Sequence, residues 1–90
     1  MAKVVWRRAA LDDLDRIIRY IDQFDPAAAT RIGIRLLDLG ESLASFPRRG
    51  RTATGGVREM TSVPPYILVY EADGEDVRIL SIRHGARATD

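Results

Sequence analysis

The chain has 90 residues, with 14 Lys and Arg, 13 Asp and Glu and one His, for a formal net charge of +1. Hydrophobic residues make up 46% and charged residues 30%, which excludes a disordered tail or a fibrous protein and points to one globular domain spanning residues 1–90. With no Cys there is no disulfide or thiolate metal site, and one His cannot hold a metal alone, so no metal or other cofactor is expected; no apolar run approaches bilayer length and the first residues lack a signal-peptide core, so the expected address is the cytoplasm, with no membrane partner.

Val4-Val5-Trp6 is a short apolar run between charges and reads as a strand. Leu11, Leu14, Ile17, Ile18, Ile21 and Phe24 then recur at helical spacing and predict one apolar helix face. Asp12→Arg16 and Asp15→Arg19 are acid-first pairs four apart on the opposite face, and Asp12, Asp13 and Asp15 suit an early helix dipole. Arg8 and Ala9 offer no side-chain cap. Asp25-Pro26 ends this helix and starts a second, with Asp as cap and Pro in the first turn. Ala29, Ile32, Leu36, Leu39, Leu43 and Phe46 form its apolar stripe, and Pro47 stops it. Gly33 and Gly40 lie inside this helix; close backbone contact and simple tolerance both account for them. The short linker predicts an antiparallel helical hairpin.

Residues 48–56 read as a loop rich in Arg, Gly and Thr, and 57–63 as a weak strand that Pro64-Pro65 interrupts. Tyr66-Ile67-Leu68-Val69-Tyr70 is apolar on both faces, as a central strand would be. Asp73-Gly74 reads as a type I′ hairpin turn. Residues 77–83 read as the return strand, with Leu80 and Ile82 on one face and Val77 and Ile79 on the other. The predicted class is α+β, in the order β-α-α-β-β-β, with the N-terminal strand and helical hairpin packed against an antiparallel sheet.

The near-zero charge conceals segregation: residues 1–10 carry +3, 11–46 carry −3, 47–70 carry +3 and 71–90 carry −2. Arg supplies 13 of the 14 cations, and its planar fork suits carboxylate or phosphate. Arg48, Arg49 and Arg51 fall in one loop, Arg58 starts the next strand, and Arg83 and Arg87 bracket His84. A basic surface for an acidic peptide, a phosphate backbone or a protein partner fits this pattern, as does a solvated charged face. Ser62 or Ser81 with His84 makes no convincing triad, and Gly55-Gly56 lacks the Lys-Ser/Thr ending of a phosphate loop. Glu59 beside Arg58 reads as a surface or cross-strand pair. Tyr66 and Tyr70 share a face, an arrangement more typical of core packing than of base stacking.

Several segments in order resemble the ParE branch of the RelE/ParE toxin superfamily of type II toxin–antitoxin modules. They are Trp6, Ala10-x-x-Asp13-Leu14-x-x-Ile17-x-x-Tyr20-Ile21, Pro26-x-Ala28-Ala29, Pro47-x-x-Gly50-Arg51, Val57-Arg58-Glu59-Met60, Pro65-Tyr66-Ile67-x-x-Tyr70, and Val77-x-Ile79-Leu80-x-Ile82-x-His84-Gly85-Ala86-Arg87. Arg8 departs from the Ser or Thr such toxins often place at the start of the first helix.

The resemblance implies a toxin that blocks DNA gyrase by binding, with Arg83, His84 and Arg87 as target contacts and no catalytic residues. It also implies a ParD-like antitoxin with a partly acidic segment, for which Arg48, Arg49, Arg51 and Arg58 are the expected contacts; reversing Arg51 and Arg58 should then weaken the complex. No direct sequence-specific nucleic-acid binding is expected. The alternative is RelE-like mRNA cleavage on the ribosome, which would use His84 as base with Arg58, Arg83 and Arg87. Against it, Ile67 stands where RelE-like enzymes carry a cation after the strand-opening aromatic, and no Tyr follows Tyr70. A third reading is a non-toxic interaction module.

Overall fold

The computed structural model describes residues 1–85. Its elements are β1 (Lys3–Trp6), α1 (Arg8–Asp22), α2 (Pro26–Ser42), β2 (Arg51–Thr52), β3 (Arg58–Val63), β4 (Tyr66–Asp73) and β5 (Asp76–His84). The five strands form one sheet in the order β1-β5-β4-β3-β2. β4 is its central strand, as its two apolar faces predict. The sheet is mixed: the β2–β3, β3–β4 and β4–β5 pairs are antiparallel, while β1 lies parallel to β5, from Lys3↔Asp76 to Trp6↔Ile79. The N-terminal strand is thus one edge of the sheet rather than a separate layer. β2 lies inside the segment expected to be a loop; two residues are too few to show a period.

The helical hairpin covers one sheet face. Asp25 caps α2 by accepting the Ala28 N–H at 3.1 Å, with Pro26 in the first turn, as expected. α1 starts at Arg8 after an Arg7 cap with no side-chain bond, so Asp12, Asp13 and Asp15 all fall beyond its first turn. Leu14, Leu36, Leu39, Leu43, Leu68, Tyr70, Val77, Ile79 and Ile82 make up most of the core. Leu11, Phe24 and Phe46 are exposed, so the apolar stripes are shorter than the spacing predicts.

The two helical glycines have packing reasons. A Cβ on Gly33 would sit 2.9 Å from Ile18 Cδ1 of α1. One on Gly40 would run into Trp6 Cζ2 and sit 2.7 Å from Ile79 Cδ1. The Trp6 ring therefore lies across α2 where α2 has no side chain, and its Nε1–H donates to Glu41 Oε2 at 3.0 Å.

Two strand details differ from the sequence reading. The β4–β5 turn has Gly74 and Glu75 at its centre, and only Gly74 has a positive φ, 59°. That is the II′ pattern, with glycine at the first central position. The pairing also shifts between Val69↔Ser81 and Tyr70↔Ile79, leaving Leu80 as an extra residue in β5. The bulge resets the alternation, so Val77, Ile79 and Ile82 all reach the core although their spacing is not even.

Gly40→Ala should destabilise the protein by about 1–3 kcal/mol, because overpacking outweighs the gain in helix propensity. Thermal denaturation would show it; an unchanged or raised midpoint would mean that Trp6 can move aside.

Candidate functional site

The arginine-rich segment is held by one buried phenol. Tyr70 is fully buried in β4. Its hydroxyl donates to Pro47 O at 2.9 Å and accepts the Gly50 N–H at 2.8 Å. A Cβ on Gly50 would come within 2.7 Å of the ring and hydroxyl, so only glycine lets the loop pass this close. Arg58, paired across the sheet with Tyr70, adds a second tie: its Nη1 donates to Arg48 O at 3.2 Å and Gly50 O at 2.8 Å.

Next along β3, Glu59 points to the face away from the helices. Its carboxylate accepts Nε and Nη2 of Arg51 at 3.1 and 2.9 Å, and Nη2 of Arg83 through its other oxygen. The Glu59 side chain is 11% exposed, against 62% for Arg51. The Arg83 guanidinium holds the Glu59 carboxyl below the usual carboxylate range; partial burial opposes this, and Arg51 adds to it. Arg83 Nη1 is buried without a partner. Farther along the same face, Arg78 bonds Glu71 at 2.8 Å and lies 3.7 Å from Asp73; the Glu71 bond is the main reason its guanidinium holds its proton more tightly than usual.

A cleft of about 510 Å³ opens where β5 runs past the end of β1. Asp13, Arg16, Ile17 and Tyr20 of α1 form one wall, with Tyr66, Ser81, Ile82, Arg83 and His84 opposite. Asp13 Oδ2 accepts the Ile82 N–H at 2.9 Å, and its Oδ1 accepts Arg16 Nη1 at 3.0 Å. Arg16 therefore pairs three residues back with Asp13 and not with Asp12, whereas the expected Arg19–Asp15 pair forms at 2.9 Å. The His84 ring meets the Tyr66 ring edge-on, with centroids 5.7 Å apart. Burial, and to a lesser degree the neighbouring Tyr20 hydroxyl, push the Tyr66 phenol above its usual value. A smaller cleft of about 170 Å³ lies against β2, β3 and β4, lined by Arg48, Thr52, Ala53, Gly56, Val57, Arg58 and Ala72.

The expected site residues therefore divide. Arg83 and His84 both border the larger cleft, yet Arg83 turns to Glu59 and His84 to Tyr66. Arg87 lies outside the described residues. Of the loop cations, Arg51 is tied to Glu59 and Arg49 donates to Ser42 Oγ at 3.1 Å, while Arg48 and Arg58 share the smaller cleft. Arg58 and Arg83 do not meet. Reversing Arg51 or Arg58 would thus break the scaffold as well as any contact. Sequence reasoning missed Asp13 as a strand cap and Glu59 as a bridge between two arginines. Alternation in β3, which puts Glu59 opposite to the buried Met60, was the one signal for the second. Among the described residues, no cluster of three or more His, Asp or Glu side chains could hold a metal ion.

The family model of the ParE toxin of type II toxin–antitoxin systems, parDE, matches residues 4–89. The chain belongs to this toxin family. Toxin RelE2 of Caulobacter vibrioides is 52% identical over 88 residues, spanning 97% of this chain and 99% of the relative. Toxin ParE3 of the same organism is 33% identical over 89 residues, spanning 94% and 88%. A solved structure described as the chromosomal ParDE TA system from P. aeruginosa superposes with a TM-score of 0.82, covering 93% of this chain and 96% of that one at 24% identity. That likeness carries the ParE-type fold: two helices on a five-stranded mixed sheet. No helix in the described residues of this ParE-family chain is long and apolar enough to cross a membrane.

The lowered Glu59 pKa gives a pH dependence with a definite sign. Its contribution to stability is complete above the unfolded value, about 4.3, and is lost as pH falls through the lower folded value. In urea denaturation across that range, the stability gap between the parent and Glu59→Gln should close on acidification. A gap that stays constant would mean that the carboxylate charge is not what holds Arg51 and Arg83.

Proposed function

We propose that this chain is the toxin of a type II toxin–antitoxin pair, that it acts in the cytoplasm by binding DNA gyrase, and that a ParD-like antitoxin neutralises it. Residues 1–90 act as one domain in this reading. Relatives carry both RelE and ParE names, so a name does not choose between cutting RNA and binding a protein. The observation that favours binding is the Arg51–Glu59–Arg83 network. Cleavage through a 2′-hydroxyl needs a general base and an uncompensated cation at one phosphate. Here the Arg83 guanidinium is bonded to a carboxylate on one side of β5, and the His84 ring packs on Tyr66 on the other. Arg58 bonds two loop carbonyls elsewhere. Of the set that RNA cleavage would require, the described members Arg58, Arg83 and His84 turn to different partners, and Arg83 is bonded to a carboxylate.

Arg83 and His84, followed by Arg87, remain the proposed target contacts at the end of β5. The loop bearing Arg48 and Arg49 is the proposed antitoxin contact, with Arg51 and Arg58 supporting it from within the fold.

Purified protein should inhibit supercoiling by gyrase in vitro, and gyrase-trapped cleaved DNA should accumulate. The opposite result is codon-positioned cutting of mRNA in a translating extract that disappears in His84→Ala. That outcome, with gyrase unaffected, would replace the binding mechanism with ribonuclease chemistry.

A further inference from the structure

β5 outruns its neighbour. β1 pairs with residues 76–79, and the chain then turns directly into α1, with the Arg7 N–H donating to Ile79 O at 2.9 Å as the last rung. Past that rung, no strand among the described residues lies beside β5 on the side away from β4. A backbone group turned to that side needs a partner from elsewhere. Asp13, in the second turn of α1, supplies one: its Oδ2 accepts the Ile82 N–H at 2.9 Å. Arg16 donates to Oδ1 at 3.0 Å and so orients the carboxylate from its other oxygen. The Asp13 side chain is 20% exposed, against 73% for Arg16. A helix side chain thus continues the ladder where the strand has ended.

The amide that Asp13 takes is presented by the bulge. In a regular strand, residues an even number apart turn their backbone groups to the same side. Ile79 turns its carbonyl toward β1, whereas Gly85, six residues on, donates its N–H to Pro65 O on the β4 side at 2.6 Å. The switch between them is the extra residue at Leu80. It turns the Ile82 N–H toward α1, and it also sets the faces of the side chains. Ile82 is buried toward the helices, His84 lies on the same face against Tyr66, and Arg83 leaves on the other face to Glu59. With unbroken alternation from Ile79, Arg83 would face the helices, and Ile82 and His84 the opposite side. The same alternation would turn the Ile82 N–H toward β4, so the bond to Asp13 exists only in the bulged arrangement.

We propose that Asp13 is a positioning residue: by accepting the Ile82 N–H it locks the end of β5 in the bulged register and thereby fixes the faces on which Arg83 and His84 are presented. That these two residues meet gyrase rests on the function proposed above; the lock does not. Glu59 holds only the tip of the Arg83 side chain, whereas Asp13 holds the backbone that carries both residues.

The test compares Asp13→Ala with Asp13→Asn, which keeps one accepting oxygen, well below the thermal transition, where each variant is folded. Two NMR contacts report the register: Leu68 Hα to Ile82 Hα across β4 and β5, and the Tyr66 ring to the His84 ring. Inhibition of gyrase supercoiling is the third readout, and the Met60–Leu68 pairing of β3 with β4 shows that the rest of the sheet is intact. Asp13→Ala should weaken both β5 contacts and raise the half-inhibitory concentration about tenfold, as expected for losing one charge-assisted bond. Asp13→Asn should keep both contacts and most of the potency. A role confined to stability would lower the melting midpoint of Asp13→Ala and leave contacts and potency as in the parent, which would overturn the proposal. Asp13→Asn behaving like Asp13→Ala would overturn it too, since the accepting oxygen is retained. If the parent itself leaves gyrase unaffected, the target reading fails, and the two contacts alone decide the lock.

Discussion

The position of the arginine-rich loop depends on one hydroxyl. Tyr70 sits at zero exposure in the central strand and satisfies a donor and an acceptor of the same loop, Gly50 N–H and Pro47 O. Neither group lies in the sheet, and each would carry a desolvation cost if buried unpaired. Because the hydroxyl answers both, the chain can leave α2, cross the sheet end and return as β2 within a few residues. That return brings Arg51 opposite Glu59 and leaves Arg48 beside Arg58. Without the phenol, the loop would keep its charges but not their places.

From that constraint comes a division of charge by face. Inside one basic segment, adjacent residues 58 and 59 send their side chains to opposite sides of β3. On one side, a carboxylate gathers Arg51 and Arg83; on the other, Arg58 braces the loop. Residues that look equivalent in a count of cations therefore do different work. Some are tied into the fold by carboxylates or carbonyls, and Arg48 borders an open cleft.

What was legible in the sequence follows from local rules. The Asp25-Pro26 helix start and the central position of β4 each rest on neighbouring residues or on a short period, and both appear in the structure. The parallel pairing of β1 with β5 and the two-residue β2 have no local signal. The bulge at Leu80 shows why alternation failed in β5: one extra residue puts Ile79 and Ile82 on the same face, and no pattern of two can anticipate it. The candidate site was legible as a set of arginines but not as an arrangement. Their partners, Glu59 for Arg83 and backbone carbonyls for Arg58, lie 24 and 8–10 residues away and are set by register.

The bond from Asp13 to the Ile82 N–H joins groups 69 residues apart, and β1 finds its strand partner only in β5. The first strand and the first helix are therefore completed by the last strand. Closing such long loops carries a high entropy cost that only late, non-local contacts repay. During synthesis on a ribosome, the amino-terminal half waits for the carboxy-terminal strand. A polypeptide released before residue 76 would lack both the Ile82 N–H that Asp13 accepts and the strand that pairs with β1, so it could not complete this fold.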